Sequence, residues 1–274
     1  ALEPFAGELL WTCVEREGMM AGTDTETARA LAAATGAKIT AAGGVSTVPE
    51  VAELAAAGCD VQLGMALYTG KIALSDGFIA GLDWKKSGGL IPVIAQAADG
   101  QVLMTAYTDK EAVAESFARG SLCFHSRSRG RLWMKGESSG NVLRLLRLRA
   151  DCDRDALLAT VEPAGPACHT GAWSCFQTTR RYTMERLQEI ISERIANAPV
   201  GSYTASLTPE RVRRKVMEEA YEVCTAKGRD EVTWEAADLL YHAAVLLAQE
   251  GVKIADVFNE LDRRTMTPGK THKK

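Results

Sequence analysis

Between residues 151 and 175 the chain gathers two kinds of metal ligand: the carboxylates Asp151, Asp153 and Asp155, and the thiols Cys152, Cys168 and Cys175, with His169 next to Cys168. Thiolate suits zinc, whereas clustered carboxylate oxygens suit magnesium or calcium. Carboxylates held together repel one another unless a cation or solvent intervenes. Side chains alternate along an extended strand, so the spacing predicts the three Asp on one side and Cys152 on the other. The stretch reads as two adjacent metal sites, against the blander alternatives of a solvated Asp-rich turn and small buried thiols. No paired CxxC is present, so this is not zinc-finger spacing. An incomplete ligand set leaves an open position and points to a catalytic metal.

A second acidic group follows. Glu219 and Glu222 are three apart, as are Glu235 and Asp238, and each pair shares a helix face. Acids on an isolated helix are ordinarily solvated. The second pair, however, borders the apolar stretches 239–241 and 243–248, so its face abuts a core. Two facing acidic pairs need divalent cations, and such cations can hold a triphosphate. Glu218, beside them, is a further ligand or the base.

The elements that must position these groups fall into three textures. Residues 1–84 alternate strands (9–14, 38–42, 61–67) with helices (25–35, 48–57), which implies parallel strands and right-handed crossovers. Residues 85–180 have an α+β pattern with mostly antiparallel pairing. Strands at 90–97 and 102–107 flank the Asp99-Gly100 turn, a helix covers 109–119, and further β structure spans 122–148. Residues 181–264 are helical, with apolar residues at three- and four-residue spacing over 184–196, 208–226, 232–249 and 254–264. Thr208 caps the second of these helices, with Pro209 in its first turn. The polar, basic residues 265–274 read as a disordered tail. The fold class is thus multidomain α+β: a partial (β/α)-barrel, an α+β domain and an all-α domain.

Bulk properties narrow the function. The chain has 274 residues, a net charge of −3 and a 46% hydrophobic fraction, which does not describe a nucleic-acid or anionic-membrane binder. No apolar stretch approaches the roughly 20 residues of a membrane helix. Seven unevenly spread Cys do not form a disulfide framework and predict a reducing, cytoplasmic location.

Residues 85–180 resemble phosphoribosyl-AMP cyclohydrolase, and 181–264 resemble phosphoribosyl-ATP pyrophosphohydrolase. The carriers are Met104-Thr105-Ala106-Tyr107, the 125–129 and 132–141 runs, Asp151 to Asp155, Ala167 to Gly171, Ser174-Cys175-Phe176, and the ExxE…ExxD arrangement above. Together the two segments are similar to the bifunctional enzyme of histidine biosynthesis. The resemblance implies zinc on Cys152, Cys168 and Cys175, with one Cys supplied by the other subunit of a homodimer. It implies magnesium on Asp151, Asp153 and Asp155, and on Glu219, Glu222, Glu235 and Asp238.

The implied reactions are hydrolysis of phosphoribosyl-ATP to phosphoribosyl-AMP and pyrophosphate, then opening of the adenine ring between N1 and C6. His169 is the candidate for proton transfer in the second, or else an orienter of the metal site. Glu218 and Glu222 are the candidates for the base in the first. His125, Arg127, Arg129, Trp133, Lys135, Glu137 and Ser138 become candidate substrate contacts in one domain. Arg214 and Lys215, with Arg211 and Arg213 nearby, are their counterparts in the other.

Residues 1–84 look like the last third of the (β/α)-barrel isomerases of the same pathway. In such barrels the loops after the last two strands hold a phosphate, and Gly43-Gly44 and Gly64 keep that pattern. Glu17 and Met65 depart from it, and three strands cannot close a barrel. The segment therefore reads as a non-catalytic fragment or a truncated barrel. The competing readings are a nucleotide-sanitising pyrophosphatase, a zinc nucleobase deaminase, which the lack of an HxE…PCxxC signature disfavours, and a non-enzymatic protein stapled by zinc.

Overall fold

The computed structural model describes residues 5–176 and 179–265. They form two compact units, divided between Arg180 and Arg181.

The first unit begins with three parallel strands in the order β1 (Glu8–Thr12), β2 (Lys38–Ala42), β3 (Asp60–Val61). Helices α1 (Thr25–Ala34) and α2 (Val48–Ala56) connect them. Ala28 of α1 and Val51 and Leu54 of α2 are buried against Ile39 and Ala41 of β2. Helix α2 starts on a reciprocal cap: Thr47 accepts from the Glu50 amide, and Glu50 accepts in return from the Thr47 amide. The expected third strand is shorter than the apolar run suggested, because Met65–Tyr68 forms a helical turn, α3, after Gly64. Helix α4 (Leu74–Ala80), which sequence reasoning missed, follows it.

A six-stranded sheet of order β7-β6-β5-β4-β9-β8 makes the rest of this unit. Its strands are β4 (Ile91–Ala97), β5 (Val102–Thr108), β6 (Cys123–Ser126), β7 (Arg131–Met134), β8 (Leu143–Ala150) and β9 (Leu157–Pro163). All neighbours are antiparallel except β4 and β9, which pair in parallel from Val93↔Leu157 to Ala97↔Val161. Helix α5 (Lys110–Arg119), capped by the Asp109 carboxylate, buries Val113 into a core with Leu103, Phe124, Leu143 and Val161. The α4 side chain Phe78 meets Phe117 of α5 edge-on at 5.7 Å, and Leu82 joins the same core. The barrel-like segment and the sheet therefore share packing.

The second unit is helical: α6 (Met184–Asn197), the short α7 (Tyr203–Ser206), α8 (Pro209–Thr225), α9 (Arg229–Gln249) and α10 (Ile254–Thr265). Thr208 caps α8 as expected, accepting from the Arg211 amide at 3.3 Å. Leu187, Ile191, Val212, Ala244 and Val245 form its core, each contributing about 1.5–3 kcal/mol where a large side chain is wholly buried. The tail expected to be disordered lies outside the described residues from position 266 onward.

Candidate active sites

The carboxylates of Asp151, Asp153 and Asp155 do converge, with one oxygen of each within 4.8 Å of the others. Strand alternation is not the reason. β8 ends at Ala150 and β9 begins at Leu157, so the three Asp lie in the intervening turn. The Asp151 amide donates to the Ala156 carbonyl at 3.0 Å, and the Asp151 carboxylate accepts from the amides of Asp155 and Ala156 at 3.1 and 3.2 Å. Arg154 takes the left-handed conformation, φ 63°, inside this loop. A side chain bonding its own turn replaces the extended geometry, a choice Asp makes readily.

The Lys86 ammonium bridges Asp153 and Asp155, the latter at 2.6 Å. Hydrogen bonds to Asp153 and then Asp155 raise the Lys86 pKa, and the Lys86 hydrogen bond holds Asp153 below its usual range. A cationic group thus already stands among oxygens aimed at one point, and the all-oxygen donor set fits a hard divalent cation.

The thiols come from the segment after β9. A tight turn links the Cys168 amide to the Ala172 carbonyl at 3.1 Å, and the Cys175 amide reaches the Leu103 carbonyl of β5 at 2.7 Å. The Thr170 hydroxyl donates to Cys168 Sγ at 3.1 Å. That hydroxyl, the Thr170 amide and the Cys175 thiol together lower the Cys168 pKa. Cys175 moves the other way, raised by partial burial of its sulfur and by the neighbouring Cys168. The two neighbouring sulfurs are thus shifted in opposite directions, and two thiols side by side are a donor pair that suits zinc. His169 Nδ1 lies 3.9 Å from Cys168 Sγ. Cys152 is exposed on the Asp loop, and among the described residues no cluster of three potential ligands includes it with Cys168 and Cys175.

Lys135, at the end of β7, is buried, and its charge acts on the Cys175 thiol. The Arg127 guanidinium stacks over the Tyr107 ring at 3.9 Å. His125, opposite Tyr107 in the sheet, bonds through Nδ1 to the Asp109 carboxylate at 2.6 Å. Asp109 was missed as a site residue. Its signal was a helix-start Asp with a second oxygen to spare. Trp133 packs its ring on the buried Phe124, while Arg129, Glu137 and Ser138 are exposed on turns around β7.

In the helical unit the predicted spacing holds. Glu219, Glu235 and Asp238 each place a carboxylate oxygen within 4.8 Å of the others, as do Glu218, Glu219 and Glu222. Glu219 is only 3% exposed. Lys215 Nζ lies 2.7 Å from Glu219 and 2.9 Å from Glu218. Burial opposes ionisation of Glu219, but Lys215, a hydrogen bond with Glu222 and the charge of His242 outweigh it and lower its pKa. Glu222 is pushed up, chiefly by that hydrogen bond with Glu219, then by desolvation and by the acids around it.

His242 also escaped sequence reasoning as a site residue. It is buried, 3.6 Å from Glu219, with Nδ1 on the Asp238 carbonyl at 2.9 Å and Nε2 3.2 Å from the Tyr203 hydroxyl. Its place four residues after Asp238 on one face was the available clue. Arg213 pairs with Glu250, Arg211 lies over the Tyr203 ring, and Arg214 is exposed.

In the barrel-like segment Gly43, Gly44, Gly64 and Met65 line a cavity of about 360 Å³ with Glu17 and Gly18. Gly43 has φ 88°, and a Cβ there would come within 2.5 Å of the Cys13 carbonyl, so only glycine fits.

Comparison with known proteins matches three families along the chain. The phosphoribosyl-AMP cyclohydrolase family matches residues 104–177, the phosphoribosyl-ATP pyrophosphohydrolase family 184–265, and a histidine biosynthesis protein family 2–73. The histidine biosynthesis bifunctional protein HisIE of Xanthomonas campestris is 47% identical over 190 residues, covering 67% of this chain and 92% of that protein. The chain belongs to the bifunctional HisIE family. Its relative in Pyrococcus furiosus is 41% identical over 198 residues (67% and 95% covered), and that in Bacillus subtilis 47% over 191 (64% and 91%). Like other HisIE proteins it is a bifunctional enzyme of histidine biosynthesis, with a cyclohydrolase and a pyrophosphohydrolase domain. Among the described residues no helix is long and apolar enough to cross a membrane.

Proposed function

We propose that the helical unit hydrolyses phosphoribosyl-ATP to phosphoribosyl-AMP and pyrophosphate, and that the thiol and Asp-loop region then opens the adenine ring between N1 and C6. The observation that carries this reading is a carboxylate cluster in each unit, joined in the first unit by the neighbouring thiols Cys168 and Cys175. Zinc and magnesium, when bound, supply a water that is nucleophilic near neutral pH and positive charge that orients phosphates.

In the helical unit Glu219, Glu222, Glu235 and Asp238 hold magnesium. Lys215 and Arg214 meet the phosphates, and Glu218 or Glu222 takes the proton of the attacking water. The place of Glu218 and Glu222 beside Glu219 in one carboxylate cluster supports that role.

In the first unit Cys168 and Cys175 hold zinc together with Cys152 of the partner subunit of a homodimer. The exposure of Cys152, outside any three-ligand cluster with the other two thiols among the described residues, supports the sharing. Asp151, Asp153 and Asp155 hold magnesium. Ring opening adds water across N1–C6: oxygen stays on C6 as the carboxamide, and N1 leaves with a proton. His169 moves that proton, while Lys135, Arg127, Arg129 and His125 orient the phosphorylated substrate. Seven free thiols favour a cytoplasmic location.

The test is to supply phosphoribosyl-ATP to the purified chain, follow pyrophosphate and ring-opened product, and analyse its metals. Both products, with zinc present, are expected. Turnover of ordinary deoxynucleoside triphosphates, with none of phosphoribosyl-ATP, would make it a sanitising pyrophosphatase instead.

A further inference from the structure

The Asp loop is also held from outside its own sheet. Arg154, at its centre, sends its guanidinium into the barrel-like segment. Nη1 donates to the Ala55 carbonyl, and Nη2 donates to the Cys59 carbonyl at 2.7 Å and to the Asp60 carboxylate at 3.1 Å. The Arg154 side chain is 18% exposed, and Asp60 is fixed from its other side by Lys38. The backbone is held as well, since the Asp83 amide donates to the Arg154 carbonyl at 2.9 Å. The Asp83 carboxylate accepts from the amides of Lys85 and Lys86, shaping the turn that presents Lys86 to Asp153 and Asp155.

Arg154 also sits at φ 63°, where a side chain costs of order 1 kcal/mol and persists only if its surroundings over-determine it. Nothing within the loop requires arginine there. The requirement comes from the acceptors at the end of α2 and the start of β3. An arginine fork can serve several such acceptors at once, which a lysine cannot.

We infer that the barrel-like segment is the scaffold of the ring-opening centre, and that Arg154 is the positioning residue through which it fixes the carboxylate loop. This gives residues 5–84 a task that needs no catalysis of their own. The inference rests on the reading of Asp151, Asp153 and Asp155 as cation ligands. Arg154 touches no ligand in this account. It acts by narrowing the positions the three carboxylates adopt, so that fewer conformations must be lost when a cation binds.

The test uses the full chain in a Glu219→Gln, Asp238→Asn background, which silences the helical cluster, with Mn²⁺ as the probe read by electron paramagnetic resonance titration. Arg154→Gly removes the tether while relieving the left-handed backbone, so loss of folding through strain is avoided. Mn²⁺ affinity at the loop is expected to fall about tenfold, equivalent to about 1.4 kcal/mol. Arg154→Lys is expected to fall between Arg154→Gly and the native residue.

In the otherwise native chain, Arg154→Gly should raise the Mg²⁺ concentration for half-maximal ring opening by the same factor. The rate at saturating Mg²⁺ should return to the native value, and pyrophosphate release should be unchanged. Native Mn²⁺ affinity in Arg154→Gly would overturn the scaffold role while leaving the metal reading intact. Absence of any Mn²⁺ site at the loop with Arg154 present would overturn both.

Discussion

The Asp loop and the acidic face of the helical unit solve one problem in opposite ways. Each brings three or more carboxylates within 4.8 Å, and each threads a lysine ammonium among them: Lys86 in the first, Lys215 in the second. The helical cluster needs only regular structure. Spacing of three residues on α8 and α9 stacks the acids on one face, and the fold buries Glu219 among them. The loop has no such periodicity. It depends on an Asp bonding its own turn, a left-handed arginine, and contacts from a distant segment. Helix geometry makes a site self-positioning, whereas a loop site must borrow its rigidity.

That contrast predicts which changes separate the two activities. The largest effect belongs to the thiols. Cys168→Ser or Cys175→Ser should abolish ring opening, a loss beyond the roughly 10–100-fold typical of outer-shell partners. Pyrophosphate release in the same proteins should stay near native, as measured by parallel assays. Glu219→Gln or Asp238→Asn should do the reverse, with a comparable loss of pyrophosphate release and ring opening of supplied phosphoribosyl-AMP intact. If either set removed both activities in a folded protein, the two centres would not be independent.

Smaller effects probe the two lysines and the acids they neutralise. Lys86→Met leaves the Asp loop without its internal cation, so Mg²⁺ should raise the melting temperature of this variant more than that of the native chain, by roughly 2–4 °C. An equal rise in both would mean that Lys86 does not mimic a cation.

The smallest effect is on pH dependence. Glu222 has a folded pKa above its ordinary 4.5, so its contribution to stability is present below that value and fades as pH rises through the raised one. Relative to Glu222→Gln, the metal-free native chain should therefore lose stability over that window. Mg²⁺, which favours the ionised form, should reverse that difference. Denaturant unfolding of both proteins at several pH values reads the two outcomes.

The same contrast explains what could be read from the sequence. Helix-based features were legible: the 3.6-residue period placed Glu219 with Glu222 and Glu235 with Asp238, and Thr208-Pro209 marked the start of α8. Parallel pairing of β1, β2 and β3 also followed from the alternation of strands and helices. The Asp loop was placed correctly in composition but not in conformation. Period-two reasoning holds only while a strand lasts, and β8 stops at Ala150.

Long-range partners were not legible. Nothing local to Arg154 points to Cys59 or Asp60, and nothing local to His125 points to Asp109. These contacts arise from the chain's return path, which a single sequence carries only diffusely. α4 was missed because its apolar side chains are split between two cores and lack one clear stripe, with Phe78 and Ile79 on one and Ala80 on the other.

Cys168→Ser given phosphoribosyl-ATP tests the division of labour most directly, with pyrophosphate, phosphoribosyl-AMP and ring-opened product followed in one time course. Pyrophosphate should appear at the native rate while phosphoribosyl-AMP accumulates in equal amount and no ring-opened product forms. Ring-opened product at the native rate, or loss of pyrophosphate release in a folded protein, would contradict the account.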